Sequence, residues 1–294
     1  MTIVVVTYNS AQVVGDLLKS IPGALDGLSA DVVVVDNGSV DGTVELVESL
    51  GFQVVVSGKN LGYAGGLNLG VQSASRSPAI LLLNPDLRLH EHAVPVMLEA
   101  LKEPRTGIVA PKVLSPDGTL HRSLRREPSL GRTLGLTGTN RPAFAEYLTL
   151  PEEYAEPRFV DWALGAALLI SRDVYDELGG WDESYFLYSE ETDFCLRARD
   201  RGILTRYEPA ASVMHIGGGS GQSGRTHSMQ IVNRVRLYRR RHNEVAAWAY
   251  LLLTAAREAT WIRRNPKSRD AFIALFRPSR RPPELGCSDR IIPR

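Results

Sequence analysis

Four short apolar runs, each entered or left through a polar residue, constrain this chain more than anything else in it. Thr2 to Thr7 is β-branched throughout, Asp31 to Asp36 holds four consecutive valines between two aspartates, and Gln53 to Ser57 and Ala79 to Leu83 follow. Runs with no polar alternation mark strands covered on both faces, the signature of a parallel sheet. Helical segments are predicted between them. Tyr8-Asn9-Ser10 can start a helix over Ala11 to Ser20, and Val44, Val47 and Leu50 give helical spacing to Thr43–Leu50. Alternating strands and helices imply right-handed crossovers, with ligands bound at the carboxyl ends of the strands. The expected class is α/β.

Further along, Lys112 to Arg158 is rich in Pro, Gly, Arg and Thr and reads as one long loop over a cleft. Trp162 to Ser171 reads as ordered chain, followed by helices over Arg172–Leu178 and from about Ser189 to Arg201. Gly217 to Gly224 is glycine-rich and is expected to be flexible. Charge then splits the chain. From Arg225 onward there are 16 basic and 5 acidic residues, a net +11, against a net −10 over residues 1–224. Such a basic end suits nucleic acid, an anionic membrane or an acidic partner. Nucleic acid is disfavoured, because no aromatic interleaving of the RNA-module type accompanies the arginines. The two cysteines, Cys195 and Cys287, exclude a disulfide framework and favour a reducing cytosol. The longest nearly apolar stretch, Val245 to Ala256, is shorter than the roughly 20 residues of a membrane span.

Several polar clusters fall where ligands are expected. Asp36 ends a buried strand and opens Asp36-Asn37-Gly38-Ser39, so its carboxylate either faces the crevice or belongs to a turn whose Ser39 or Asp41 caps the next helix. Asn60-Leu61-Gly62-Tyr63-Ala64-Gly65-Gly66-Leu67-Asn68 reads as a second glycine-rich loop, but it is neither a dinucleotide fingerprint nor a P-loop. Asn84-Pro85-Asp86 follows a buried strand. It is either a turn or the place where an aspartate meets a divalent ion, and Mg²⁺ favours one or two carboxylates plus substrate phosphates. His215 is either a strand-end histidine or a ligand beside a closing loop, and Glu190-Glu191-Thr192-Asp193 heads a helix, where acidic residues are favoured in any case.

Taken in order, these blocks resemble the inverting family 2 glycosyltransferases of the GT-A fold, from Thr2 to about Arg241. The resemblance implies a Rossmann-like, mostly parallel sheet flanked by helices. It implies a catalytic domain over residues 1–224, with a nucleotide-binding half (1–111) and an acceptor half (112–224), and a basic helical region over 225–294. Thr7-Tyr8-Asn9 is similar to the family's opening nucleotide-contact motif, Asp36 to its base- and ribose-reading aspartate, and Asn60, Gly62, Gly66, Asn68 and Asn84 join the nucleotide side. Asn84-Pro85-Asp86 is similar to the DxD site, with Asn for the first Asp, so Asp86 and His215 are the implied ligands of Mg²⁺ or Mn²⁺. Trp162, Gly165, Ala166 and Asp193 match the acceptor side. Glu190-Glu191 stands where the family usually carries Glu-Asp, which makes Glu191 the implied base and Glu190 its rival.

Within the family the chain most resembles rhamnosyltransferases acting on polyprenyl-diphosphate-linked GlcNAc. The cues are Asp117-Gly118-Thr119, Ser123 to Ser129 with Arg125-Arg126, and Trp162 to Arg199. That resemblance implies dTDP-L-rhamnose as donor and a lipid-linked saccharide as acceptor, in cell-wall or surface-polysaccharide synthesis at the cytoplasmic face of the membrane. Galactofuranosyl or GlcNAc transfer, and a non-catalytic sugar-nucleotide-binding homologue, are the alternatives. Trp248, Tyr250 and Trp261, flanked by Arg239-Arg240-Arg241 and Arg263-Arg264, suit either an anionic membrane surface or a homodimer contact.

Overall fold

The computed structural model describes residues 1–134, 141–217, 223–285 and 291. Its N-terminal half builds the predicted parallel unit from β1 (Thr2–Thr7), α1 (Val14–Leu25), β2 (Asp31–Asp36), α2 (Thr43–Ser49), β3 (Gln53–Val56), α3 (Gly62–Ser73) and β4 (Ala79–Leu83). Next come β5 (Leu87–Leu89), α4 (Ala93–Ala100), β6 (Thr106–Leu114), β7 (Leu124–Arg125), α5 (Leu130–Thr133), β8 (Arg158–Val160), β9 (Trp162–Ala163) and β10 (Ala167–Ser171). The chain continues through α6 (Arg172–Leu178), α7 (Glu190–Asp200) and β11 (Leu204–His215), and then α8 (Gly224–Arg241), α9 (Glu244–Trp261) and α10 (Pro266–Phe276). The main sheet runs β3-β2-β1-β4-β10-β6-β11-β5, with β8 beside β11. It is parallel from β3 through β4 and between β6 and β11, and antiparallel where β10 and β5 join.

Alternation along the buried strands feeds two cores. Ile3, Val5, Val34 and Leu81 pack with α1 and α4, whereas Val4, Val6, Val33 and Val35 pack with α3, α6 and α7. This is why no polar residue interrupts those runs. Register then sets the site, because Thr7 lies beside Asp36 and Val5 beside Leu83. The carboxyl ends of β1, β2 and β4 therefore finish on one edge.

The structure corrects several expectations. The helix predicted over 11–20 starts at Val14 and runs past Pro22 to Leu25, while Ser10 O accepts from the Val13 and Val14 amides to turn the chain first. The supposed glycine-rich loop over 60–68 is mostly the helix α3. Its glycines let the helix lie against the sheet, since a Cβ at Gly66 would come 2.7 Å from Val6 Cγ1 and one at Gly70 2.3 Å from Val4 Cγ1. Close approach outweighs the propensity cost of about 1 kcal/mol per helical glycine. The long loop over 112–158 contains the end of β6, β7, α5 and a 3₁₀ turn at Pro151–Tyr154, tied down by Arg126 Nη2 donating to Glu153 Oε1 at 2.6 Å. Trp162 to Ser171 is two strands broken at Leu164-Gly165-Ala166. Residues 218–222 of the glycine-rich stretch, like Cys287, lie outside the described residues.

The basic C-terminal region is not a solvated charge run. α8 turns four arginines onto the acidic body: Arg234 meets Glu146, Arg240 meets Asp182, Arg241 meets Asp200 and Glu127, and Arg236 donates to Ser184 O. Three of these arginines therefore pair with carboxylates of the acidic body. α8, α9 and α10 share a third apolar core that also takes in Phe186, Leu187 and Tyr188.

Candidate active site

The site is assembled at the strand ends. β11 pairs antiparallel with β5, which sets His215 opposite Leu87 and lets the Ile216 amide donate to Asp86 O at 2.9 Å. The His215 ring thereby meets the Asp86 carboxylate across 129 positions of sequence, with Nε2 3.2 Å from Oδ1 and 3.1 Å from Oδ2. Both side chains are largely buried. His121 stands edge-on to His215 with ring centroids 5.8 Å apart, and its Nδ1 is buried without a partner among the described residues. Burial, with His215 and Arg125 nearby, holds the His121 imidazole below its ordinary pKa, so it stays neutral.

One carboxylate and one imidazole, in contact and partly open, suit a divalent cation whose other ligands are diphosphate oxygens and water. No cluster of three or more metal-ligating side chains occurs among the described residues.

Across the groove, α7 opens with Glu190 and Glu191, both almost completely buried. Each has one carboxylate oxygen with no partner among the described residues. Burial and mutual repulsion push Glu190 well above the carboxylate range. Glu191 is raised too, mainly by burial, but its own amide and the Arg125 guanidinium favour its ionised form. Desolvation thus outweighs the helix N-terminus, which from sequence alone was expected to keep Glu191 ionised. Gly165 explains how the pair is approached. A Cβ there would lie 3.2 Å from Glu191 Cβ, so glycine leaves the carboxylate's flank open.

Tyr63, quoted in the 60–68 motif but given no role there, joins the two ends. Its hydroxyl donates to Gly165 O at 3.0 Å, and burial together with Glu190, Glu191 and Asp86 raises its phenol well above the ordinary value. The neighbouring Asn84 amide donates to Ala166 O at 2.8 Å, so Gly165-Ala166 bridges the Asp86 edge and the glutamate pair.

On the nucleotide side, Asp36 is a fully occupied turn carboxylate. Oδ2 accepts from the Gly38 and Ser39 amides at 3.0 and 2.9 Å, and Oδ1 from the Thr7 and Ser39 hydroxyls at 3.0 and 2.5 Å. Thr7 is buried beneath it. Asn9 Oδ1 accepts from the Val40 amide at 2.9 Å, and Tyr8 is 54% exposed above the edge. Asn60 Oδ1 accepts from the Gly62 amide at 2.9 Å, and a Cβ at Gly62 would fall 2.3 Å from Phe186 O.

Two residues expected to touch nucleotide are instead structural. Gly66 presses on Val6, and Asn68 is spent on Trp181 O, Glu183 Oε1 and the Tyr175 hydroxyl, because α3 is a packed helix. Asp193 pairs with Arg197 at 2.6 Å, and Trp162 Nε1 donates to Arg126 O at 3.1 Å. His121 and Tyr63 were missed because a lone histidine after a turn and a tyrosine among glycines carry no spacing signal.

The family model for glycosyl transferase family 2 matches residues 2–157, more than half of the chain and the whole edge just described up to β7 and beyond. The chain belongs to glycosyltransferase family 2. A curated relative, the N-acetylglucosaminyl-diphospho-decaprenol L-rhamnosyltransferase of Mycobacterium tuberculosis, is 31% identical over 235 residues, covering 73% of this chain and 75% of that one. The low-salt glycan biosynthesis hexosyltransferase Agl10 of Haloferax volcanii is 30% identical over 207 residues, 69% of this chain and 62% of its own. Among solved structures, GalNAc-T7 with UDP, GalNAc and Mn²⁺ aligns with a TM-score of 0.63 at 15% identity, over 93% of this chain and 55% of that one. The mannosyltransferase PcManGT of Pyrobaculum calidifontis, with GDP-Man and Mn²⁺, gives 0.58 at 17% identity, over 95% and 81%. At these identities the structures establish the GT-A fold of the transferase.

Proposed function

We propose that this transferase moves L-rhamnose from dTDP-L-rhamnose to a GlcNAc-diphosphate-polyprenol, with inversion and with Mg²⁺ or Mn²⁺. The observation that carries the reaction class is the opposition of two unlike centres across Gly165-Ala166. Asp86–His215 lies on one side and the buried Glu190–Glu191 pair on the other. Glu191 accepts the acceptor hydroxyl's proton as its oxygen bonds to the anomeric carbon and the bond from that carbon to the diphosphate breaks on the opposite face. A raised pKa makes Glu191 a stronger base once ionised, and Arg125 helps it ionise. Burial and the charge of Glu191 disfavour ionisation of Glu190 beside it. Asp86 and His215 would hold a divalent cation, whose chemistry is to neutralise charge developing on the leaving diphosphate.

Rhamnose and a lipid-linked GlcNAc are supported by the name of the mycobacterial relative, and dTDP by the resemblance of the motifs. A membrane-borne acceptor also suits the exposed apolar face of α9, where Val245 is 81%, Trp248 37% and Leu252 55% exposed at one-turn spacing. No described helix is long and apolar enough to cross a membrane.

The test supplies dTDP-L-rhamnose, UDP-galactofuranose and UDP-GlcNAc to the protein with a GlcNAc-diphosphate-lipid and Mg²⁺ or Mn²⁺. Rhamnose transfer with inverted anomeric configuration by NMR is expected. Transfer from a UDP-sugar alone would overturn the donor, and retention of configuration would overturn the mechanism.

A further inference from the structure

The segment that delivers Glu190 and Glu191 to the groove is backbone-strained. Phe186, Tyr188 and Ser189 have φ of 59°, 69° and 74°, three non-glycine residues in the left-handed region within four positions, immediately before α7. Such conformations are unfavourable and persist only where the surroundings enforce them. Here the enforcement comes from α8, beyond the residues 2–157 that the family model matches. Asn233, fully buried on α8, points its amide into the turn, and Nδ2 donates to Tyr185 O at 2.7 Å, Leu187 O at 2.9 Å and Tyr188 O at 3.0 Å. The amide's two hydrogens serve these three carbonyls, one of them shared, which fixes the amide's orientation. Its Oδ1 is buried without a partner among the described residues. One helical turn on, Arg236 Nη1 donates to Ser184 O at 2.6 Å and Nη2 to Ser184 Oγ at 2.7 Å. From the opposite side the Tyr63 amide donates to Phe186 O at 2.7 Å, and Phe186 closes on the bare Cα of Gly62. The strained turn is therefore clamped between the nucleotide-side helix α3 and the C-terminal helix α8.

We propose that Asn233 is a positioning residue for the transfer reaction: by gathering the carbonyls of Tyr185, Leu187 and Tyr188, it holds the left-handed turn that aims the Glu190–Glu191 pair across Gly165. The proposal rests on the reading of that pair as the base centre. It makes α8 part of the catalytic unit rather than an appendage. A side chain that only filled core would not need to turn its amide nitrogen toward three carbonyls of one turn while leaving its own oxygen unpaired.

The test uses the full chain with three substitutions. Asn233→Asp keeps the shape and removes the donors, Asn233→Ser keeps one hydroxyl donor, and Leu18→Ala opens a cavity in the separate core that α1 shares with α4. Displacing a reacting group by about 1 Å can cost on the order of 10²-fold. Asn233→Asp is expected to lower kcat about 100-fold and Asn233→Ser about 10-fold, with nucleotide Kd by calorimetry unchanged. Leu18→Ala is expected to lower the melting temperature without changing kcat. If Asn233→Asp does not fold, Asn233→Ser decides by the same split. A folded Asn233 variant with wild-type kcat, or one that loses nucleotide affinity as much as kcat, overturns the proposal. Glu191→Gln and Glu190→Gln run alongside. If both keep full turnover the base reading itself fails, whereas inactive glutamine variants with active Asn233 variants sink only the positioning role.

Discussion

Glu190 and Glu191 are adjacent in sequence and alike in burial, yet their surroundings separate them. Arg125 and backbone amides favour the charged form of Glu191, while Glu190 gains little beyond repulsion from its neighbour. Glu191→Gln is therefore expected to reduce kcat by about 10²–10⁴ with donor affinity unchanged, measured by steady-state kinetics beside calorimetric titration of dTDP. Equal losses in both quantities would remove Glu191 from the base role. The groups facing the pair are Tyr63, Tyr188, Arg125 and Asp193. Because the base must be ionised, kcat should fall as pH drops through a pKa above the ordinary 4.5. The same burial has a consequence for stability. Between pH 4.5 and the raised folded value, the folded state holds a proton that the unfolded chain has lost, so stability falls as pH rises across that window. Glu190→Gln should raise the melting temperature at neutral pH, with the gain vanishing at pH 4, where both states are protonated. At the opposite edge, Asp86→Ala should abolish any dependence of nucleotide affinity on Mg²⁺ or Mn²⁺. Titrations of the wild type with and without EDTA that give one affinity would contradict the cation role.

At the scale of the element, α3 shows why composition misled. The glycines of Asn60 to Asn68 read as a loop, but the segment is helical, and Gly66 and Gly70 let it sit against Val6 and Val4 of β1 and Val35 of β2. The prediction is a contrast between two glycines. Gly70→Ala drives a Cβ to 2.3 Å from Val4 Cγ1 and 3.0 Å from Val35 Cγ2, and overpacking of this kind costs about 1–3 kcal/mol. Gly15→Ala in α1 meets Leu46 and Leu50 only at 3.7 and 3.9 Å, so it should gain about 0.5–1 kcal/mol from helix propensity and lost unfolded-state freedom. Urea denaturation should move the two midpoints in opposite directions. A parallel shift would mean that α3 can back away from the sheet.

Across the whole molecule, part of the charge asymmetry is met inside the fold. Arg234, Arg240 and Arg241 meet Glu146, Asp182, Asp200 and Glu127, while His227 on α8 meets Glu258 on α9 at 2.9 Å. What faces outward is different. Val245, Trp248 and Leu252 line one side of α9, and Trp261 is 49% exposed beside the exposed Arg263 and Arg264. Aromatics beside arginines match the headgroup region of an anionic bilayer, where each basic residue adds about 1 kcal/mol. Flotation with anionic liposomes should recover the protein, and Trp248→Glu with Leu252→Glu should release it. Equal recovery with neutral vesicles would argue against the electrostatic part. No recovery, with a dimer in analytical ultracentrifugation, would assign the face to a second copy.

The unbroken valine and leucine runs determined the parallel sheet by themselves, because a strand buried on both faces admits no polar alternation, and its carboxyl edge had to hold whatever ligand site there was. The ordered blocks Thr7-Tyr8-Asn9, Asp36, Asn84-Pro85-Asp86 and Glu190-Glu191 marked that edge before any contact was known. Only tertiary structure could decide which groups meet. Asp86 reaches His215 through the β5–β11 pairing, Arg125 arrives from a segment that read as loop, and Tyr63 joins the site because α3 can press onto the sheet. Burial is likewise a property of the assembled molecule. A helix N-terminus favours charge on Glu190 and Glu191 locally, yet the packing around them removes water and reverses the sign.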